Sequence, residues 1–176
     1  KPATGFNSCK LPVDIGIGLN TDAVVSGNIG SSKRMDYTII GDGVNLASRL
    51  ESACKTYGTH ILVSEFTYHQ LKSTYYSREI DLVVVKGKTQ PVAVFEILDY
   101  HTNETYPQLN DALRQFRAGL ADYRNGLWAK AKCSFEEVLA LNPTDKTAML
   151  YVKRCEHLQE NPPAGQWDGV WVMEDK

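Results

Sequence analysis

The sequence has no excess of positive charge, no closely paired cysteines and no long apolar run, and each absence removes a class of function. Lys and Arg number 19 against 21 Asp and Glu, a net charge of −2, so no basic field argues for nucleic acid. No apolar stretch reaches the ~18 residues that suggest a membrane span. The opening KPATGFNSCKLP has no apolar signal-peptide core. The expectation is a cytoplasmic location with no transmembrane segment in these residues. Cys9, Cys54, Cys133 and Cys155 are widely spaced and form no CxxC, the pattern of unpaired thiols in a reducing compartment rather than a zinc site or disulfide frame. His60, His69, His101 and His157 are scattered, and none stands at a metal-ligand spacing from a Cys or another His.

What is present is a globular composition, 43% hydrophobic and 23% charged, over 176 residues, enough for one ordinary domain and an appendage. Strand and helix patterns alternate up to about Tyr100. Val13–Thr21 (VDIGIGLNT) reads as a strand, and AVVSGNIGSSKRMDYTII as an extended arm that turns at glycines and returns as a second strand. GDGVNLASRLESACKTYG reads as a helix, with Asp42 or Gly43 able to cap its start and Gly58 at the C-terminal cap. HILVSE is a short buried strand, EFTYHQLKSTY has helical spacing, and REIDLVVVKGKTQPVAVFEILDY is two strands joined by a polar turn around Gly87. This order predicts an α+β or α/β sheet domain.

From about residue 101 the pattern changes. HTNETYPQ, within 101–109, reads as a polar linker, and 110–160 as helical. Phe116, Leu120 and Tyr123 make one apolar stripe, and Trp128, Ala131, Phe135, Val138 and Leu139 make another. The order Gly119-Leu120, Tyr123, Gly126, Trp128, Ala131, Phe135, Pro143 resembles one tetratricopeptide-type helix pair plus the first helix of a next one. A single unit of that kind buries its face poorly and is expected to pack on the sheet domain or on a second chain. The segment 161–176 carries Trp167 and Trp171, which are expected to dock.

Asn45 and Arg49 stand four apart on the helix that follows IIGDG, so they share one face. Val44, Ala47, Leu50 and Cys54 or Tyr57 are read as the face toward the sheet, which leaves Asn45 and Arg49 on a flank beside a strand end. A guanidinium offers a planar fork for phosphate oxygens, and an amide can both donate to and accept from a sugar. The alternative is an Asn near a helix start and a surface Arg paired with Glu51 or another acid. Lys86 and Lys88, in VVVKGKTQP, could reach an anion or merely solvate a turn. The GIG at Gly16–Gly18 lacks the later glycine and the following helix of a dinucleotide loop.

In combination these residues resemble a known family. GIGLNTDAVVSGNIGSSKRMDYTIIGDGVNLASRLES, with its IGD-x-VN-x-A-x-RLE string and the later VKGK, is similar to the C-terminal half of a class III nucleotidyl cyclase catalytic domain, most of all cyanobacterial-type adenylate cyclases, over about residues 13 to 100. The resemblance implies a ferredoxin-like α+β core, its N-terminal part absent here, followed by a C-terminal helical hairpin extension. It implies conversion of ATP to cyclic AMP and pyrophosphate by attack of the ribose 3′-hydroxyl on the α-phosphate. By motif, Asn45 would orient the ribose, Arg49 would stabilise charge on the α-phosphate, and Lys86 would hold the terminal phosphates. Thr38 falls at the purine-reading position with the backbone of Ile39 beside it; a hydroxyl there fits adenine, where guanylate cyclases usually show a cysteine. Asp22 stands where many relatives have glycine.

The resemblance also implies two divalent cations, Mg or Mn, ligated by aspartates outside this sequence, since no FxDI…GD stretch precedes Val13. The implied partner is a second cyclase catalytic domain, a homodimer, each site drawing metal aspartates from one domain and Asn/Arg from the other. The expectation is therefore a segment inactive alone, and the competing reading is a non-catalytic cyclase-like docking module or a guanylate cyclase.

Overall fold

The computed structural model describes residues 14–31, 34–83 and 91–171. The order of elements is β1 (Ile17–Leu19), β2 (Val25–Ser31), β3 (Arg34–Ile40), α1 (Asp42–Tyr57), β4 (Ile61–Ser64), α2 (Glu65–Tyr68), β5 (Ser77–Val83), β6 (Val92–Ile97), α3 (Leu109–Arg124), α4 (Trp128–Leu141) and α5 (Lys146–Glu160). A four-stranded sheet has the order β1-β4-β6-β5, with β1 parallel to β4 and the other pairs antiparallel. β2 and β3 form a separate antiparallel hairpin that pairs Val25 with Ile40 and Ser31 with Arg34. The result is a mixed α+β fold. The polar turn around Gly87 lies outside the described residues.

α1 buries Leu46, Leu50, Cys54 and Tyr57, spaced four, four and three apart, and packs them against β1 and β4. The expected face is thus turned by part of a helical step. Leu46 belongs to it, while Val44 and Ala47 are only half-buried, because Val44 lies on the far side of the helix from Leu46 and Leu50. The N-cap is Gly41, without a side-chain cap; Asp42 is the first helical residue, where its charge favours the helix dipole. Gly58 closes the helix in the left-handed region, at φ 68° and ψ 35°. The GIG motif also has a packing reason. A Cβ on Gly18 would stand 2.3 Å from the carbonyl oxygen of Ala47, so β1 crosses α1 at a distance only glycine permits. α2 is a single turn capped by Ser64, shorter than the helical spacing of 65–75 suggested, because Ser73 to Tyr76 are exposed and bury no face.

The segment between sheet and helices is not simply polar. Tyr106 is buried, and its hydroxyl donates to Asp145. α3, α4 and α5 pack on one another around Phe116, Tyr123, Phe135 and Tyr151, with the Phe135 and Tyr151 rings stacked at 4.8 Å. α3 lies along β5, and α5 reaches α1. Trp167 sets its ring edge-on to Tyr123 and Trp128 and donates its indole N–H to the Tyr123 carbonyl at 3.0 Å.

Two buried charged residues of β5 join sheet to helices. Arg78 donates to Glu96 at 2.7 Å and, through both terminal nitrogens, to Asp145 at 2.6 and 3.1 Å. Asp145 is also the N-cap of α5, accepting from the Ala148 amide at 2.9 Å. Asp81 accepts from the Tyr57 hydroxyl and from Arg154 of α5, the latter at 2.7 Å. A bulge between Glu79 and Asp81 makes this possible: the extra residue, Ile80, puts Ile80 and Asp81 together in the interior.

Burial opposes the charge on Asp145, but Arg78 beside it and the hydrogen bonds from Arg78 and Tyr106 hold its carboxyl below the ordinary value. Burial pushes Glu96 up, even with Arg78 in contact. Asp145→Asn keeps a capping oxygen and removes the charge, so it is expected to lower stability by about 3 kcal/mol at neutral pH, the cost of breaking a buried pair. The folded pKa of Asp145 is depressed, so its contribution is complete above the unfolded carboxylate value of about 4 and is lost as pH falls through the lower folded value. Denaturant melts of wild type and variant should differ by a constant amount from pH 7 down to about 5 and converge below that; a gap unchanged at the acid end would refute the ion pair. Burial also raises the Cys54 thiol and pushes that of Cys155 up to about 12, whereas Cys133 is exposed. Thiol labelling of native protein at pH 8, mapped by mass spectrometry, should modify Cys133 and reach Cys54 and Cys155 only on unfolding.

Candidate active site

β3 delivers the chain directly to α1 through Gly41, whose carbonyl accepts from the amides of Val44 and Asn45 at 3.1 and 3.3 Å. Thr38 and Ile39 therefore stand just before this turn, and Asn45 and Arg49 on the first two turns of the helix beyond it. Thr38 pairs with Gly27 across the hairpin and Ile39 with Ser26. The side chains of Thr38, Asn45 and Arg49 are exposed. Because α1 commits Leu46, Leu50 and Cys54 to the sheet, Asn45 and Arg49 project from its flank. Among the described residues neither has an ion-pair or hydrogen-bond partner for its side chain. The pairing of Arg49 with Glu51 does not form: two residues apart, they leave the helix on different faces, and Glu51 accepts instead from the Ser52 hydroxyl at 3.4 Å. Arg49 thus keeps all its donors for an anion, and Asn45 both its amide functions. Lys86 lies outside the described residues.

One positioning residue escaped the reading of the sequence. Asn20, at the end of β1, donates to the Gly43 carbonyl at 3.0 Å and accepts from the Ser64 hydroxyl at 2.6 Å. It ties the first turn of α1 to the ends of β1 and β4 and so fixes where Asn45 begins. Its only local signal is a polar residue closing an apolar strand.

Parts of the described surface are apolar. On the β2–β3 hairpin Val25 (70%) and Ile40 (53%) are exposed on one face and Met35 (65%) and Tyr37 (74%) on the other, and Ile17 and Leu19 are exposed on β1 with Ile15 just before it. No group of three or more His, Cys, Asp or Glu among the described residues could hold a metal ion. The described residues therefore offer an exposed Arg and a polar amide side by side. No helix among them is long and apolar enough to cross a membrane.

Comparison with known proteins shows the family. Residues 4–106 match the family model for the adenylate and guanylate cyclase catalytic domain. The chain is 32% identical over 146 residues to the terminal-differentiation-specific adenylate cyclase of Dictyostelium discoideum, covering 81% of this chain and 7% of that protein. It is 40% identical over 88 residues to an adenylate cyclase of Anabaena cylindrica, covering 48% of this chain and 18% of that one. Among solved structures it is similar to the adenylyl cyclase CyaB from P. aeruginosa, at 41% identity and a TM-score of 0.44 over 52% of this chain and 46% of that one. The chain spans less than a fifth of the length of these two curated relatives. The Dictyostelium similarity is too long to fit within residues 4–106 and takes in part of the helices that follow. This chain belongs to the adenylate and guanylate cyclase catalytic domain family.

Proposed function

We propose that the chain is a catalytic segment of an adenylate cyclase, contributing the transition-state side of a site shared between two catalytic domains. The observation that carries this reading is the pair Asn45 and Arg49, exposed and unpartnered among the described residues, on the flank of α1 where β3 ends. In the reaction, the ribose 3′-oxygen forms a bond to the α-phosphorus, the bond from that phosphorus to the pyrophosphate oxygen breaks, and the hydroxyl proton leaves to solvent. Arg49 would meet the charge that builds on the α-phosphate oxygens, and Asn45 would hold the ribose in line. Phosphoryl transfer depends on positioning and charge stabilisation more than on protein nucleophiles, which suits a site made of an Arg and an amide. Thr38, with the Ile39 backbone, would read the purine, and Lys86 would hold the terminal phosphates. The divalent ions common in such cyclases would be held by aspartates outside these residues. The partner is read as a second cyclase catalytic domain, a homodimer, and the exposed apolar hairpin supports such a face.

The test is cyclic AMP formation from ATP with Mn²⁺ or Mg²⁺ by the full-length protein. Arg49→Ala should lower kcat by ~10²–10³, the usual cost of one charge-stabilising donor, with the thermal midpoint unchanged because the side chain is exposed. Turnover close to wild type would remove Arg49 from the site; a wild type inert with both ATP and GTP would favour the docking-module reading. For the base, ATP should be used at least about tenfold better than GTP, and Thr38→Cys should narrow that ratio, since rejection rests on a group the site hydrogen-bonds. A wild-type preference for GTP would reassign the chain as a guanylate cyclase.

A further inference from the structure

The helix that carries Asn45 and Arg49 is gripped at its far end by α5, an element beyond the residues of the cyclase family match. Three contacts make the grip. Thr147 of α5 donates its hydroxyl to the carbonyl of Tyr57, the last residue of α1, at 3.0 Å. The Tyr57 hydroxyl donates to Asp81, which also accepts from Arg154 of α5 at 2.7 Å. Lys146 lies over Gly58, so close that a Cβ there would stand 2.3 Å from its side chain. Arg154 is itself fixed, its guanidinium over the rings of Tyr151 at 5.1 Å and Trp171 at 5.2 Å, while the Tyr151 hydroxyl donates to the Ile80 carbonyl. All of Tyr57, Asp81, Thr147, Tyr151 and Arg154 are buried.

This is more than is needed to hold α1 to the sheet, which Leu46, Leu50 and Cys54 already do. Those apolar contacts resist separation but are tolerant of small sliding and rotation. Directional hydrogen bonds at the terminus are not. At about 1.5 Å per residue, Arg49 stands roughly 12 Å along the axis from Tyr57, so a slight roll or tilt at the end carries through a stiff helix to the guanidinium. A misplacement of about 1 Å at a reacting group can cost on the order of 10² in rate.

We propose that α5 is a positioning element of the cyclase site. Thr147 and Arg154, acting through Tyr57 and Asp81, set the rotation and tilt of α1 and thereby aim Asn45 and Arg49 at the nucleotide. The inference rests on the function proposed above. It gives the C-terminal helices a catalytic consequence.

The experiment uses the full-length protein and compares Thr147→Val, Arg154→Met, Arg154→Lys and Leu158→Ala with Arg49→Ala, at a temperature where each is folded. Leu158 is buried in α5 outside the hydrogen-bonded set and reports simple loss of packing. Thr147→Val and Arg154→Met should each lower kcat about tenfold or more, with the KM for ATP changed less than about twofold. Arg154→Lys should recover most of the loss made by Arg154→Met. Leu158→Ala should lower the melting temperature and leave kcat within about twofold. If Arg154→Met does not fold, Thr147→Val, a nearly isosteric change, carries the test alone. Wild-type kcat in Thr147→Val, with Arg49→Ala inactive, would overturn the positioning role and leave the site reading intact. Normal turnover in Arg49→Ala would overturn both. A loss in Leu158→Ala as large as in Thr147→Val would also overturn it, reducing the effect to stability.

Discussion

Two charged residues on one strand, Arg78 and Asp81 of β5, are the interaction on which the rest of this structure depends. Each is buried, and each reaches beyond the sheet: Arg78 to Asp145 at the start of α5, Asp81 to Arg154 in its middle and to Tyr57 at the end of α1. Buried charges are costly unless paired and fully hydrogen-bonded, so sheet and helices must fit together for either residue to be tolerated. The bulge at Ile80 is what lets Ile80 and Asp81 share the interior, and the side chain of Asp145 caps α5 while it answers Arg78. Hydrophobic contact alone would join the helices to the sheet; the ionic set fixes the geometry in which they join.

The candidate site is tied less tightly. The β2–β3 hairpin and β1 leave large apolar side chains in solvent, and α1 presents an Arg and an Asn without a side-chain partner among the described residues.

Much of this was legible in the sequence where the information is local. Helical spacing puts Asn45 and Arg49 side by side, while the roles proposed for them come from the family resemblance; Gly58 is legible because a left-handed cap favours glycine. The strands and the returning β2–β3 arm follow from alternation and turn residues; the sheet order β1-β4-β6-β5 does not. What stayed hidden depends on distant partners. Arg154, inside YVKRCEH, reads as an ordinary helical cation, and only the fold brings it to Asp81, 73 residues away. Tyr106 sits in a stretch that reads as a polar linker, yet it is buried against Asp145. Asn20 acts through a carbonyl of α1 and a hydroxyl of β4, which no local pattern announces. The face of α1 was misjudged by including Val44, since the stripe through Leu46, Leu50 and Cys54 is decided by the surface it meets.

The central claim is that Asn45 and Arg49 form one half of a site completed by another catalytic domain. The most direct test mixes two inactive full-length variants, one carrying Arg49→Ala and the other lacking the metal-holding carboxylates outside these residues, and measures cyclic AMP formed from ATP. The account predicts that the mixture regains activity that neither variant has alone, because mixed dimers assemble one site with both halves intact. A mixture no more active than the sum of its parts, with mixed dimers shown to form, would contradict it.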